Sequence, residues 1–209
     1  MGVITQISAQ KKKGRANIFL DGRFFCGLET VTVAKHGLVV GREIEATELE
    51  LLQAESEANV AFDKAIGQLA VRMRSKKEIE EFLKKKGYLP QTVQTVLAKL
   101  AEYGYVNDVA FAHEMVRSFG GLGKRALEEK LRQKGVDKQI VEEVLVVSDE
   151  DEEEKARKLA QKFLRTRANA KNLREKLMRH LAGKGFSFDI CAKIAKSETN
   201  QMEDEYNED

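Results

Sequence analysis

The 209-residue sequence has no tryptophan, one proline and two cysteines. Cys26 and Cys191 lie far apart and show no C-x-x-C spacing, so we expect two reduced thiols rather than a disulfide framework. No apolar run approaches the ~20 residues that a membrane-spanning helix needs, and the N-terminus lacks the apolar core of a signal peptide. We therefore expect a cytoplasmic protein with no membrane partner. A third of the residues are charged, which is typical of helix-rich proteins with long solvated faces.

The familiar sequence signatures of catalysis are also missing. There is no G-x-x-x-x-G-K-[ST] loop, no G-x-G-x-x-G after a strand, and no H-E-x-x-H. The glycine-rich run 120–124 follows no predicted buried strand, so we expect it to join two helices rather than hold a phosphate. His36, His113 and His180 are far apart, and none has metal ligands at the usual spacing. We expect no enzyme activity, no metal and no cofactor.

Acidic residues are unevenly distributed along the chain. The net charge is +2, yet residues 198–209 hold six acids and no base. Without those six acids the charge of residues 1–197 is +8. We expect a disordered acidic tail over 198–209 and a basic body that binds a polyanion, for which the tail could compete. A second acidic run, 149–154, is explained either by a helix N-terminus that favours negative charge or by a hinge or partner contact.

A nine-residue motif occurs three times in the chain. Its copies are Ile79-x-x-x-Leu83-x-x-Lys86-Gly87, Leu127-x-x-x-Leu131-x-x-Lys134-Gly135 and Leu177-x-x-x-Leu181-x-x-Lys184-Gly185. Apolar residues four apart share a helical face, and a following glycine supplies the positive φ that ends a helix. Further apolar residues recur six, nine and ten positions after each glycine. The motif therefore predicts tandem helical repeats, each with a long first helix, a motif-bearing second helix and a third helix.

We predict five segments from this pattern. Residues 1–46 form an N-terminal β-hairpin region, residues 47–106, 107–148 and 149–197 form three three-helix repeats, and 198–209 form the tail. Capping boxes predict helix starts at Thr47 and Ser75, and a break in the first helix is expected near Ser56. Asp137 and Ser187 are the predicted N-caps of third helices.

The N-terminal region contains the clearest β signal. Asp21-Gly22 lies between two apolar runs and predicts a type I′ hairpin turn, because both residues of such a turn need positive φ. In the resulting register Phe19 lies opposite Phe24 and Ile18 opposite Phe25. Both faces of the hairpin are thus apolar, so we expect other residues to cover the second face. The preceding basic loop, 11–15, is either a solvated turn or a phosphate contact.

Basic residues recur along the predicted helices, and we select thirteen as a candidate binding surface for a filament or DNA. For Lys86, Lys134 and Lys184 the alternative is purely structural, because a cation stabilises a helix C-terminus. Few aromatic, Asn or Gln residues accompany these positions, so base reading is not predicted. This basic set comprises Arg72, Arg74, Lys84, Lys85, Lys86, Lys124, Arg125, Lys130, Arg132, Lys134, Arg174, Arg179 and Lys184.

These motifs together resemble the RecX family of regulators of the RecA recombinase. The matching residues are Leu69-x-x-Arg72-x-Arg74-Ser75-x-x-Glu78-Ile79-x-x-x-Leu83-x-x-Lys86-Gly87-Tyr88, Gly104-Tyr105-Val106-Asn107-Asp108-x-x-Phe111-Ala112, Gly123-Lys124-Arg125-Ala126-Leu127-x-x-x-Leu131-x-x-Lys134-Gly135-Val136 and the hairpin residues Leu20-Asp21-Gly22-Arg23. The resemblance covers nearly the whole chain apart from the tail. Ala126 stands where the family often has Ile, the third repeat fits loosely, and the acidic tail is not a general family feature.

The resemblance implies a curved, elongated array of three-helix repeats that lies in the groove of a RecA–DNA filament. There it would block or cap growth, favour disassembly, and restrain recombination and coprotease activity without catalysis. The expected partners are the RecA filament and, weakly and salt-dependently, single- and double-stranded DNA; we expect a monomer. Two alternatives remain: a direct DNA binder that uses helix-turn-helix-like pairs, and an α-solenoid adaptor for proteins.

Overall fold

The computed structural model of the chain describes residues 1–146, 149–166 and 172–207, with only the backbone for residues 149 and 201–207. Within these residues there are four strands and ten helices, and the predicted fold class, mainly α with three successive groups of three helices after a small β region, is confirmed. The elements are β1 (Gly2–Ala9), β2 (Arg15–Leu20), β3 (Arg23–Glu29), α1 (Thr30–Lys35), β4 (Glu43–Ile44), α2 (Ala46–Leu69), α3 (Lys76–Lys85), α4 (Pro90–Glu102), α5 (Asp108–Ser118), α6 (Lys124–Gln133), α7 (Lys138–Val144), α8 (Asp149–Arg165), α9 (Leu173–Gly183) and α10 (Phe188–Asn207).

The chain divides into two compact units. The first contains Met1–Arg74 and Glu78–Val106, and the second contains Ser75–Lys77 and Asn107–Asp209. No helix in the described ranges combines the length and the apolar character that crossing a membrane requires.

The sheet of the first unit has the strand order β3-β2-β1-β4, and the pairs are antiparallel. The predicted type I′ turn is confirmed, since Asp21 and Gly22 have φ of 48° and 77°. Phe19 lies opposite Phe24, with ring centroids 5.9 Å apart. The next predicted pair is wrong, because Ile18 lies opposite Cys26.

A β-bulge in β3 causes that difference. Between the pairs Phe19–Phe24 and Ile18–Cys26 there is one extra residue on β3, Phe25. The extra residue shifts the alternation of inward and outward side chains. As a result Ile18 and Cys26 both point into the core, with 0% and 2% of their surfaces exposed.

Helix α2 covers this face of the sheet. Leu49 and Leu52, in its first half, pack with Ile4, Ile18 and Leu28 of the strands. Only the face that carries Ile18 and Cys26 is covered in this way. Beside Phe19, Phe24 remains 59% exposed, so the expectation that the second face of the hairpin is also covered is not confirmed.

Two expectations about α2 are wrong. The helix begins at Ala46, one residue before the predicted cap, so Thr47 lies inside its first turn. The helix also continues without a break through Ser56, whose side chain is fully buried. The Ser56 hydroxyl accepts a hydrogen bond from the backbone N–H of Glu29 at 2.8 Å, so a buried polar residue is satisfied by the sheet without interrupting the helix.

The second half of α2 belongs to the first three-helix group. Ala61 and Ala65 pack with Ile79 and Leu83 of α3 and with an apolar face of α4. The small alanines let α2 and α4 approach each other closely, since packed helices lie only about 8–10 Å apart. One continuous helix thus contributes to both the sheet core and the first helical core.

The second unit contains two further helical cores. Helices α5, α6 and α7 bury Leu127 and Leu131 of the second motif copy, and α8, α9 and α10 bury Leu177 and Leu181 of the third. The predicted cap at Asp137 is confirmed by a side-chain hydrogen bond from the N–H of Gln139 at 2.8 Å, and Asn107 caps α5 in the same way with the N–H of Ala110 at 3.0 Å. The Ser187 hydroxyl likewise accepts from the N–H of Ile190 at 3.3 Å.

The predicted disordered tail is wrong for residues 198–207, which continue α10; residues 208–209 lie outside the described ones. Glu198 and Thr199 are 3% and 6% exposed. Arg157 of α8 donates from Nη1 to Oε1 of Glu198 at 2.9 Å, and the Thr199 hydroxyl donates to the Ala195 carbonyl at 2.7 Å. Composition alone suggested a solvated tail because it does not reveal that the first acid of the segment has a basic partner on another helix.

Replacement of Glu198 by Gln should lower the free energy of unfolding by about 1–3 kcal/mol, because the buried hydrogen bond from Arg157 loses the negative charge of its acceptor. Since Arg157 is 41% exposed and water can reach it, we expect a value towards the lower end. Urea unfolding monitored by circular dichroism measures the change. The matched control is Glu154→Gln, which removes an exposed pair with Lys158 and should change stability by less than about 0.5 kcal/mol. Equal effects of the two variants would contradict the structural role of Glu198.

Candidate nucleic-acid interface

The three motif copies end their helices in the same way. Gly87, Gly135 and Gly185 have φ of 86°, 73° and 88°. In each copy the residue after the glycine donates its N–H to the carbonyl of the second motif leucine, and the glycine itself donates to the next carbonyl along. This pair of bonds is the Schellman motif, which satisfies the last carbonyls of a helix. The motif lysine therefore lies at the end of its helix, directly before the glycine, and Lys134 and Lys184 are the C-caps of α6 and α9.

In the second unit, carbonyl groups in the turns after two motif helices also accept hydrogen bonds from another segment of the chain. The N–H of Gly123 donates to the carbonyl of Lys184 at 2.9 Å, and the N–H of Arg125 donates to the carbonyl of Gly185 at 3.2 Å. The Ser75 hydroxyl donates in the same manner to the carbonyl of Lys134 at 2.7 Å. Lys134 and Lys184 thus have a structural role through their backbone, whatever their side chains bind.

Glycine is required at one of these contacts because the backbones approach so closely. A Cβ on Gly123 would lie 2.6 Å from the carbonyl carbon and oxygen of Gly185 and from the nitrogen of Phe186, closer than real Cβ contacts allow. The expectation for the run 120–124 is therefore confirmed in a specific form: it joins α5 to α6, and its last glycine permits the contact with the third motif turn.

A carboxylate from a later helix caps the start of each of two motif helices, α3 and α6. Glu152 of α8 accepts the N–H of Lys124 at 2.9 Å, and Asp108 of α5 accepts the N–H of Lys76 at 2.8 Å. Lys76 and Lys124 occupy equivalent positions, three residues before the first apolar residue of their motifs. Sequence reasoning missed these caps because the acid lies 28–32 residues beyond the helix start. The sequence did contain a signal for these caps: Asp108 and Glu152 each lie in the first turn of the helix that follows a repeat, α5 and α8.

The acidic run 149–154 is explained largely by such contacts. Glu152 is 8% exposed and serves as the cap of α6. Glu153 pairs with Lys193 of α10 at 2.6 Å, and Glu154 pairs with Lys158 one turn along α8 at 2.6 Å. The run also lies at the N-terminus of α8, where negative charge is favourable. The helix-start interpretation of the run is confirmed, and internal ion pairs add to it.

The basic set separates into side chains with and without partners within the chain. Ion pairs within the set include Arg72 with Glu78 at 2.8 Å, Lys84 with Glu80 at 2.6 Å and Arg132 with Glu129 at 2.8 Å. Hydrogen bonding to Glu78 raises the pKa of Arg72 above its usual value, and the hydrogen bond from Arg132 lowers the pKa of Glu129. These cations can contact a phosphate only in competition with a carboxylate.

Other members of the basic set lie over rings or bind the backbone. The Lys130 ammonium lies 4.6 Å from the centre of the Phe119 ring, and Lys86 lies 5.7 Å from that of Phe82. The Arg74 side chain donates to the Gln68 carbonyl at 3.1 Å. A cation over a ring keeps its charge and remains able to bind an anion on its other side.

Lys85, Arg125, Arg174 and Arg179 are exposed, and among the described residues none of the four has a carboxylate partner. They lie on all three motif helices, α3, α6 and α9. Lys124 and Lys184 are half-buried. Exposed cations without a partner are the most favourable phosphate contacts in this chain, because no internal ion pair must be broken.

An aromatic cluster in the first unit, formed by Phe62 of α2 and two tyrosines that follow α4, was not predicted as part of the site. Tyr103 and Tyr105 are 56% and 55% exposed, and their rings meet each other and Phe62 edge to face at 6.1–6.3 Å. The Lys99 ammonium lies 4.9 Å from the Phe62 ring centre. Exposed tyrosines beside a cation can stack with bases of a single strand. The sequence signal for this cluster was the pair of tyrosines on either side of Gly104. Sequence reasoning used this segment only for the family resemblance.

The described residues provide no site of metal-ion or thiol chemistry. No cluster of three His, Cys, Asp or Glu side chains is suited to a metal in these parts of the chain. The ring of His180 stacks on Phe163 with centroids 4.6 Å apart, which gives this histidine a packing role. Burial raises the pKa of Cys26 to about 11 and also raises the pKa of Cys191. Both thiols stay protonated at neutral pH and are poor nucleophiles.

The fold and this surface define a helical-repeat protein with exposed cations on its motif helices. Family models match the chain in order: the regulatory protein RecX N-terminal domain over residues 2–45, and the first, second and third three-helix domains of RecX over 61–100, 107–145 and 150–194. The chain belongs to the RecX family of regulatory proteins.

Individual relatives agree with this assignment. The chain is 35% identical to the regulatory protein RecX of Bacillus subtilis over 100% of this chain and 80% of the relative. It is 34% identical to that of Bacillus licheniformis, over 98% and 80%. Among solved structures, a crystal structure of regulatory protein RecX matches 94% of this chain and 100% of that one, with 27% identity and a TM-score of 0.71. RecX from Lactobacillus salivarius matches 69% and 97%, with 26% identity and a TM-score of 0.62.

Replacement of Glu152 by Ala should destabilise the second unit by about 1 kcal/mol, because the N–H of Lys124 loses its acceptor. Thermal unfolding of the full chain measures this change. Glu150→Ala is the matched control, since it removes an exposed carboxylate from the same first turn of α8 and alters the helix dipole interaction equally. If both variants melt at the same temperature, the carboxylate of Glu152 contributes through the dipole alone and the cap is unimportant.

Proposed function

We propose that this chain is a non-enzymatic regulator that binds the groove of the RecA–single-stranded DNA filament and inhibits recombinase and coprotease activity. The observation that carries this proposal is the family match, which extends through all four RecX domains in their order. By this route the chain would take part in the control of DNA repair and recombination.

The repeat organisation supports a polymeric partner. Three helical groups carry the same motif with spacings of 48 and 50 residues, and each presents at least one exposed cation without an internal carboxylate partner. A protein with similar faces on successive repeats can contact successive subunits of a polymer in similar ways. DNA within the filament would attract the same cations electrostatically. We propose that the basic set makes these contacts and that Lys85, Arg125, Arg174 and Arg179 lead them.

The aromatic cluster favours direct binding of single-stranded nucleic acid as a second candidate function. Tyr103 and Tyr105 are exposed beside Lys99, a combination that suits stacking with bases rather than contact with a protein groove. The two functions differ in salt dependence and in the need for RecA. A direct binder loses affinity by about 0.7 log units per contacted phosphate for each tenfold rise in salt, and it binds equally well when RecA is absent.

Substoichiometric amounts of the purified protein should slow ATP hydrolysis by RecA on single-stranded DNA. A coupled ATPase assay with preformed filaments measures the rate, because each inhibitor bound in the filament affects more than one RecA subunit. Hydrolysis that stays unchanged over a wide titration would rule out the filament regulator. Loss of hydrolysis only when the protein saturates the free DNA would favour the second candidate.

Reversal of charge at Arg174 and Arg179 to Glu should weaken filament binding by about tenfold or more, because two unpaired phosphate contacts become repulsive. The control is Lys162→Glu with Lys196→Glu, which makes the same change of charge at exposed positions on α8 and α10 outside the basic set. Co-sedimentation with filaments gives the affinity, and melting temperatures verify the fold. Similar losses in both double variants would show that net charge, not position, determines binding.

A further inference from the structure

A basic pocket lies in the first unit between the sheet, α2 and the turn after α3. Its volume is about 250 Å³. Lys12 of the β1–β2 loop, Arg15 at the start of β2, Lys64 of α2 and Lys86 after α3 line it together with one carboxylate, Glu57. We propose that this pocket binds a phosphate group. It shares Lys86 with the basic set but is otherwise lined by residues outside that set, and phosphate binding here does not depend on RecA.

Convergence of charge from distant parts of the chain supports the proposal. Lys12 and Lys86 are more than 70 positions apart in sequence, yet both line the same small cavity. Like charges repel, so a fold gains nothing by bringing four cations to one cavity unless an anion or solvent offsets them. The sequence alone left two interpretations of the basic loop 11–15, a solvated turn or a phosphate contact. The proximity of this loop to Lys64 and Lys86 favours the phosphate contact.

The lysines of the pocket are available to an anion. Among the described residues Lys12, Lys64 and Lys86 have no ion pair. The Lys64 ammonium lies 4.9 Å from the centre of the Tyr88 ring, and Lys86 lies over the ring of Phe82. These rings orient the lysine side chains without neutralising their charge. Other lysines do pair with carboxylates, among them Lys35, Lys84, Lys138, Lys158 and Lys193.

Arg15 carries a donor that the protein leaves unsatisfied. Its Nη2 donates to the carbonyl of Gly27 at 3.1 Å, whereas its Nε is buried and has no hydrogen-bond partner within the described residues. Buried polar groups almost always have a partner, and a guanidinium presents a planar fork that matches two oxygens of a phosphate. A small rotation of the Arg15 side chain towards the pocket would give that fork an acceptor.

The pocket composition selects phosphate over other ligands. Four cations line the pocket with one carboxylate, Glu57, and Glu29 interacts electrostatically with Arg15 and Lys12 from nearby. This excess of positive charge disfavours a metal ion, and the volume exceeds that of one phosphate group, so flanking ester atoms fit as well. The amide of Gln53 adds a neutral donor to the lining. The phosphate can come from a nucleic-acid backbone or from a small free phosphate, and both present the same oxygens to these cations.

The test compares two full-length double variants. The pocket variant combines Lys12→Gln and Lys64→Gln, and the control variant combines Lys11→Gln and Lys13→Gln. Both variants lose two positive charges, and the control residues flank Lys12 in the same loop but do not line the pocket. In the first arm, inorganic phosphate is titrated into isotope-labelled protein, and the amide resonances of Gly27, Gly87 and Tyr88 are followed. We expect saturable shifts in the native chain and the control and their loss in the pocket variant.

In the second arm, a fluorescent single-stranded oligonucleotide is titrated at several salt concentrations. If the site takes backbone phosphates, the pocket variant should bind at least about fivefold more weakly than the control, and its salt slope should fall by about 0.7 per lost contact. Saturable phosphate shifts with equal oligonucleotide binding would assign the site to a small free phosphate. Equal behaviour of the two variants in both arms would overturn the proposal. Neither arm contains RecA, so a failed ATPase prediction leaves this test unaffected. If the pocket variant melts at a lower temperature than the native chain, the single variant Lys64→Gln replaces it.

Discussion

The rest of the helical structure depends on the turn that ends each motif helix. A glycine with positive φ reverses the chain after two buried apolar residues, and the Schellman hydrogen bonds satisfy the last carbonyls of the helix. In the second unit, two of these turns also accept hydrogen bonds from residues that precede another motif helix, at the carbonyls of Lys134 and Lys184. In the second and third copies the same nine residues therefore end a helix and also provide the acceptor for a neighbouring segment.

Charge has two separate roles in this chain. Many acids and bases are used internally: Glu152 caps α6, Glu198 binds Arg157, and Glu153 binds Lys193. The cations that remain without carboxylate partners are fewer than the charge count suggests, and they include four exposed residues of the motif helices and the lysines of the pocket around Arg15 and Lys86. Net charge is thus a poor guide to a binding surface here, because pairing within the protein removes much of it.

Much of the architecture could be predicted from the sequence because its causes are local. The recurrence of two apolar residues and a glycine predicts a helix and its end at each copy. Asp21-Gly22 predicts the hairpin turn, since few other residue pairs adopt two successive positive φ values. The errors arose where a single extra residue or a distant partner decided the outcome. The bulge at Phe25 moved Cys26 opposite Ile18, and Glu29 satisfied Ser56 so that α2 could continue through a predicted break.

The candidate site was less accessible to sequence reasoning than the fold. Sequence identified the basic residues by type but could not separate Arg72, which binds Glu78, from Arg174, which is exposed. By itself the sequence determined the helical repeats, their order and the hairpin, because short-range spacing and backbone preferences specify each of them. Only the tertiary structure decided which charges are paired, which acids cap distant helices and which cations meet in the pocket. Those outcomes depend on side chains that packing brings within about 3–5 Å of each other from positions far apart in the chain.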